Sequence, residues 1–258
     1  MGSPCVAILG LGEAGSEIAA GLVAAGASVR GYDPLVIPGP GITPCRDEAD
    51  AASGAGLVLS VNSAHDAEGA LRSGIDGLAC DAVWADMNTA GPAAKRSLAA
   101  IAAEHERQFA DIALMSPVPG RGLHTPMLVS GSGASRANRI LTGLGASLEL
   151  LDGPAGLAAT KKLLRSVFYK GMAAAVLEAL SAARAADLED WLYEHIGAEL
   201  TAANADTVAR LENGSRRHAV RREAEMAAAA ALLVDLGVPS WVSQASRSWL
   251  ELLQQNQS

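Results

Sequence analysis

The sequence predicts an α/β chain: a doubly wound, mostly parallel sheet followed by an all-helical C-terminal region. Three observations carry that expectation. Short apolar runs alternate with helical segments through the first 156 residues. A glycine-rich turn joins the first run to the first helical segment. After Gly156 the strand signals stop, and the remainder is rich in Ala and Leu at helical spacing.

Taken in order, Cys5 to Leu9 is a short apolar run bounded by Gly10, and an amphipathic Ala-rich segment follows from about Glu13 to Ala25. Ser28 to Tyr32 is the second strand and ends at Asp33-Pro34, which completes a βαβ unit. Leu57 to Val61, Ala82 to Ala85, Phe109 to Leu114, Met127 to Ser130 and Leu148 to Leu151 continue the strands, with helices at Ala93 to Glu106 and Ser135 to Leu144. Runs this apolar suit strands covered on both faces, hence the parallel sheet. One long helix from about Leu157 to Ala185 then opens the helical half and is expected to wall a cleft beside the sheet domain. Its successors are expected to break at Asn213-Gly214 and at Gly237-Val238-Pro239, with Trp191, Trp241 and Trp249 anchoring their packing. The expected domains are 1–156 for nucleotide binding and 157–258 for substrate contacts and dimerisation.

Composition narrows the function. With half its residues apolar and 19% charged, the chain of 258 residues is globular. Its 20 Lys and Arg against 28 Asp and Glu leave a formal charge of −8, which disfavours nucleic acid and anionic membranes as partners and favours a small-molecule ligand. Cys5, Cys45 and Cys80 have no paired spacing, and His65, His105, His124 and His195 no ligand spacing, so neither disulfide nor metal is expected. Without a leader-like N-terminus or an apolar run of membrane length, the expected compartment is the cytoplasm.

The chemistry starts at Gly10-Leu11-Gly12-Glu13-Ala14-Gly15, a GxGxxG between the first strand and helix. Gly10 would permit the tight turn, Gly12 the approach of a pyrophosphate to the backbone, and Gly15 close packing of helix on strand. Asp33 stands where a ribose-binding carboxylate belongs, and the alternative for it is an Asp-Pro turn residue. A carboxylate there accepts bonds from a ribose diol and repels a 2′-phosphate, so NAD is favoured. Arg30 and Arg46 are the residues that would compensate for NADP.

These residues resemble the β-hydroxyacid dehydrogenase superfamily, which includes 3-hydroxyisobutyrate and 6-phosphogluconate dehydrogenases and pairs a Rossmann domain with a helical one. The glycine turn is similar to the family's GLGxMG, with Ala14 for Met. Asp86-Met87-Asn88-Thr89 followed by Pro92 resembles its DxST segment beside the nicotinamide, which implies cofactor contacts for Asn88 and Thr89. Val61-Asn62-Ser63 resembles the loop that contacts the adenosine side. Ser116-Pro117-Val118-Pro119-Gly120-Arg121-Gly122 and the stretch from Arg216 to Glu223 are similar to a branch with a phosphogluconate-dehydrogenase-like C-terminal domain. Pro119 and Arg121 stand where APVSGG has serine and the second glycine, so the family's substrate contacts do not carry over intact. The catalytic KxxxN is matched by Lys162 and Ser166, with serine for asparagine. The resemblance also implies a homodimer through the helical domain.

On a helix, Lys162, Arg165, Ser166 and Tyr169 share a face. A desolvated lysine near cations has its pKa lowered toward the range of a general acid or base, so Lys162 is the expected proton-transfer group and Ser166 its orienting partner. Pro119, Gly120, Arg121, Arg165, Tyr169 and His218 are the expected substrate contacts, with Arg121 or Arg165 forking an anionic group. The expected function is an NAD(P)-dependent oxidoreductase acting on the CH–OH of a small hydroxyacid, or reducing the matching carbonyl. Two alternatives remain beside it. One is an imine reductase of the same fold, against which Lys162 speaks, because those enzymes carry Tyr or Asp at that place. The other is a catalytically silent nucleotide-binding sensor or structural subunit.

Overall fold

The computed structural model describes residues 3–256. Eight strands form one sheet: β1 (Cys5–Leu9), β2 (Ser28–Tyr32), β3 (Ile42–Pro44), β4 (Leu57–Ser60), β5 (Val83–Asp86), β6 (Gln108–Leu114), β7 (Met127–Ser130) and β8 (Leu148–Leu150). Their order is β3-β2-β1-β4-β5-β6-β7-β8. Every neighbouring pair is parallel except β6 with β7. The order reverses between β1 and β4, so their C-terminal ends border the crevice where doubly wound sheets take ligands.

Helices α1 (Glu13–Ala24), α2 (Glu48–Ala52), α3 (Ala67–Gly74), α4 (Pro92–Glu104) and α5 (Ala134–Gly143) connect these strands. The sequence reading missed β3, α2 and α3, which are short; β3 ends on a proline and keeps two of its three residues exposed, so no apolar run marks it. Both faces of the sheet are covered. Val6 and Ile8 of β1 enter one apolar cluster with Ile18 and Leu22 of α1, while the intervening Ala7 and Leu9 enter another with Leu71, Trp84 and Phe109. A strand buried on both sides is apolar at every position, which is why β1 reads as a continuous run rather than an alternation.

The chain divides into two compact units, Met1–Arg165 and Ser166–Ser258, and the division falls inside the long helix α6 (Leu157–Ala185). Beyond it come α7 (Glu189–Ala202), α8 (Ala205–Arg217), α9 (Ala219–Asp235) and α10 (Trp241–Gln255). In the second unit α9 packs along α10, and Glu178 of α6 caps α10, accepting hydrogen bonds from the Val242 and Ser243 amides at 2.7 and 2.8 Å and from Ser243 Oγ at 2.7 Å. These amides have no partner within the helix, and the carboxylate satisfies them.

Two expectations about this unit need correction. Asn213-Gly214 does not break a helix; both residues lie inside α8. The break comes earlier, where Asn204 caps α8 through its Oδ1 and the Asp206 amide at 3.0 Å. Gly214 serves packing instead, since a Cβ there would meet the Arg222 guanidinium at 3.0 Å. Nor do Trp191, Trp241 and Trp249 anchor the helices within one chain, for they are 60%, 77% and 66% exposed. The fully buried tryptophan is Trp84, in β5. No helix among the described residues is long and apolar enough to cross a membrane.

Candidate functional site

Each glycine of the turn after β1 has a separate steric reason. Gly10 takes φ +93°, and a Cβ on it would lie 2.7 Å from the Asn62 backbone after β4. A Cβ on Gly15 would sit 1.9 Å from the Gly10 carbonyl oxygen, so only glycine lets α1 start this close to the turn. Gly12, the residue preceding α1, faces open space within 4 Å. That room, beside the free amides opening α1, is what an approaching pyrophosphate requires. Leu11, Glu13 and Ala14 complete the turn, with Leu11 buried and Glu13 exposed.

Asp33, just after β2, is held by three backbone donors. The Leu11 amide reaches Oδ2 at 2.7 Å, and the Leu35 and Val36 amides reach Oδ1 at 2.8 and 2.9 Å. Burial opposes its ionisation, yet these donors prevail and hold the carboxyl below its ordinary range. Asp33 thus ties the glycine turn to the end of β2 and also closes a local turn. The groove beside it is lined by Gly10, Gly12, Asp33, Glu48, Val61 and Asn62, among others, and no Arg or Lys lines it. Arg30 is occupied elsewhere, with its guanidinium 2.9 Å from Asp50 and bonded to the Asp50 and Ala51 carbonyls. Arg46 pairs with the same carboxylate at 3.2 Å. The glycine turn, Asp33 and the Val61-Asn62 loop therefore lie together around one groove, as dinucleotide binding needs.

A second constellation begins at the C-terminal ends of β4 and β5. Asn88 is 7% exposed, and its amide donates to Asp86 Oδ1 at 2.6 Å, Asn62 Oδ1 at 2.7 Å and Ser60 Oγ at 3.2 Å. Asn62 and Asn88, assigned separately from sequence, are mutual partners that bind the two strand ends together. Thr89 follows, and Lys162 Nζ on α6 donates to its Oγ1 at 2.9 Å. Burial, then the nearby Lys95 ammonium, holds the Lys162 pKa below that of an ordinary lysine, against an opposing pull from Asp111. The adjacent Lys161 points elsewhere, to Glu149 at 3.6 Å.

Sequence reasoning missed what lies beneath. Lys95 of α4, 1% exposed, bonds Asp86 Oδ2 at 2.5 Å and the Asp86 carbonyl at 2.8 Å, and lies 3.3 Å from Asp111 Oδ1. Asp111 Oδ2 accepts from the Gly156 and Ala159 amides at 2.9 and 3.1 Å, at the start of α6. Burial raises the Asp86 pKa, against the pull of Lys95. The signals were visible: Asp111 interrupts the apolar run of β6, and Lys95 stands three residues before Leu98 on the buried side of α4.

The other assigned residues are less gathered. Pro119, Gly120 and Arg121 are exposed in a loop held to α1, where the Gly120 amide donates to Glu17 Oε2 at 3.0 Å. Arg165 ends the first unit and is exposed. Ser166 and Tyr169 belong to the second unit, as does His218, exposed at the α8–α9 junction. Among the described residues no group of three His, Cys, Asp or Glu side chains is arranged to hold a metal ion.

Comparison with known proteins agrees with this geometry. Residues 183–253 match a domain of unknown function, DUF1932. A curated relative, an uncharacterised 28.5 kDa protein in the 7S RNA 5′ region of Methanothermus fervidus, is 30% identical over 112 residues, 43% of this chain and only 42% of that protein. A solved conserved protein of unknown function, described as structurally similar to 3-hydroxyacid dehydrogenases, is 25% identical over 97% of this chain and 98% of its own, with a TM-score of 0.64. An imine reductase from Myxococcus stipitatus in complex with NADP+ is 17% identical over 98% of this chain and 95% of its own, with a TM-score of 0.82, a likeness of fold. Residues 5–146, more than half of the chain, match the NAD binding domain of 6-phosphogluconate dehydrogenase, and the chain belongs to that family of NAD-binding Rossmann proteins.

Proposed function

We propose that the protein is an NAD(P)-dependent oxidoreductase that oxidises the CH–OH group of a small anionic hydroxyacid, or reduces the matching carbonyl, with Lys162 as general acid and base. The observation that carries this reading is the Lys162 ammonium, half-buried and 2.9 Å from Thr89 Oγ1 next to the Asn62–Asn88 pair. When bound, the nicotinamide supplies the two-electron hydride chemistry. In the oxidising direction neutral Lys162 takes the hydroxyl proton as the carbonyl forms; in reduction its ammonium returns that proton to the carbinol oxygen. A lowered pKa brings the two protonation states closer in energy, which both directions need. Thr89 fixes the amine while it waits for substrate. Ser166, one turn further along α6, is assigned the orienting role, and Arg121, Arg165 and His218 the recognition of the anion.

NAD is the favoured dinucleotide. Asp33 and Glu48 line the groove, and both arginines that would neutralise a 2′-phosphate are engaged by Asp50. The test is fluorescence titration with NADH and NADPH, on the native chain and Asp33→Ala. The proposal expects tighter NADH, weakened in the variant; tighter NADPH overturns the cofactor preference. A panel of hydroxyacids and cyclic imines then decides the bond. Turnover of hydroxyacids that Lys162→Ala abolishes supports the reading, imine turnover moves the chain to the reductases, and tight NADH without turnover makes it a silent nucleotide sensor.

The working form is proposed to be a homodimer formed by the helical half. The three apolar clusters contain no residue beyond Ala158, while Leu164, Val167, Phe168, Leu177, Trp241 and Trp249 stand 58% to 77% exposed. So many large apolar side chains left exposed mark an association site. A second copy presents the same surface and covers it symmetrically. Sedimentation at micromolar concentration tests this; a stable monomer there refutes it.

A further inference from the structure

Beneath the proposed site lies a buried cluster that the reaction itself does not touch, and the inference drawn from it rests on Lys162 as the proton-transfer group. Asp86, Lys95 and Asp111 are at most 1% exposed and come from β5, α4 and β6. Three ionisable groups taken out of water are retained at a cost that apolar residues would avoid. Their contacts show what the cost secures. Asp86 holds the Asn88 amide at 2.6 Å, one residue before Thr89. Asp111 holds the amides of Gly156, just before α6, and of Ala159 in its first turn, at 2.9 and 3.1 Å, a few residues before Lys162. Lys95 joins the two carboxylates at 2.5 and 3.3 Å.

We propose that Lys95 and Asp111 are positioning residues for Lys162: together they lock the Thr89 segment and the start of α6 into one frame, so that the Lys162 amine is held at a fixed place relative to their opposed charges. Neither is a catalytic residue. The charged groups on the elements around Lys162 are Lys95, Arg96 and, at the far end, Glu104 on α4, Asp86 on β5 and Asp111 on β6, with Glu149 on β8 paired to Lys161. On its own helix the neighbours are Lys161 and Arg165. Lys95 and Asp111 are the two whose charges act on it most, in opposite senses. Removing Lys95 therefore raises the Lys162 pKa, and neutralising Asp111 lowers it.

The experiment measures the Lys162 amine directly, by competitive acetylation with acetic anhydride across pH and mass spectrometry of the Lys162 peptide, on the full chain without substrate. We expect Lys95→Met to raise the Lys162 pKa and Asp111→Asn to lower it, read as opposed displacements of the labelling midpoint along the pH axis. The double variant is expected to return close to the native value. Asp111→Asn keeps an acceptor for the α6 amides, so it and the double variant carry the test if Lys95→Met fails to fold. Shifts in the same direction, or none in folded variants, overturn the proposal, since a purely structural role predicts no opposed pair. The labelling needs no turnover: an inactive protein with opposed shifts refutes the catalytic reading alone, and an active one without them refutes the positioning role alone.

Discussion

The nucleotide-binding unit and the helical unit are built on opposite economies of burial. In the first, alternate residues of each central strand enter separate apolar clusters on the two faces of the sheet, and even its charges are sealed in, as with Lys95 between Asp86 and Asp111. In the second, α7 and α8 have no buried residue, and Trp191, Trp241 and Trp249 face outward. A sheet covered on both sides completes its own core. A row of amphipathic helices needs another surface to cover it. The difference teaches that the first unit's core is complete in one chain, whereas the second leaves large apolar side chains uncovered, which the proposed second copy would bury.

The strongest way to break that contrast lies in the glycine turn. Gly15→Ala should abolish NADH binding and cut the yield of folded protein, because its Cβ would overlap the Gly10 carbonyl; Gly12→Ala, placed in open space, should leave the melting temperature unchanged while weakening NADH. Calorimetry and titration on both variants separate the two effects, and equal behaviour would refute the steric assignment. Next in size, Lys162→Ala should lower kcat about 100- to 10,000-fold, as loss of a general acid or base does, with the NADH affinity kept. A fall in NADH affinity instead would make Lys162 a cofactor ligand.

Smaller effects probe the helical unit. Val167→Glu with Trp241→Glu should leave the nucleotide-binding unit intact and turn the proposed dimer into monomer in sedimentation, each buried apolar side chain being worth about 1.5–3 kcal/mol. An unchanged sedimentation coefficient would show that the exposed face lies outside the interface. The smallest effect belongs to two carboxylates with the same work. Asp33 and Glu178 each accept backbone amides and have pKa values held below 3.8 and 4.5, their ordinary values. A lowered folded-state pKa stabilises above the unfolded value and is lost as pH falls through the folded one, so both contributions should vanish only below about pH 4. Asn and Gln replacements followed by thermal melts from pH 3 to 7 should flatten that acid limb, and an acid limb as steep as the native one would refute it.

Much of the first unit was legible in the sequence because its signals are local. The runs of β1, β2 and β7 and the glycine turn need only neighbouring residues to be read, and α6 was placed from Leu157 to Ala185 by periodicity alone. Its short elements were not legible, since three residues of β3 carry no periodicity. Asn213-Gly214 misled for a related reason: the pair is a turn signal in isolation, but here the glycine makes room for Arg222 within a helix. Of the site, the nucleotide loop was readable from spacing, whereas Lys162 was singled out by the family resemblance. Lys95 and Asp111 left only the trace of a charge inside an apolar pattern.

By itself, then, the sequence determined the longer elements and the dinucleotide turn, properties of residues close along the chain, and its family resemblance singled out a lysine on the long helix. Only the tertiary structure decided that Lys162 meets Thr89 across 73 positions of sequence. It alone decided that Asn62 and Asn88 pair, that Asp50 withdraws Arg30 and Arg46 from the nucleotide groove, and that a buried ammonium bridges Asp86 and Asp111. Such pairings depend on which strand ends and helix starts the sheet brings together, and strand order, unlike periodicity, is a property of the whole chain.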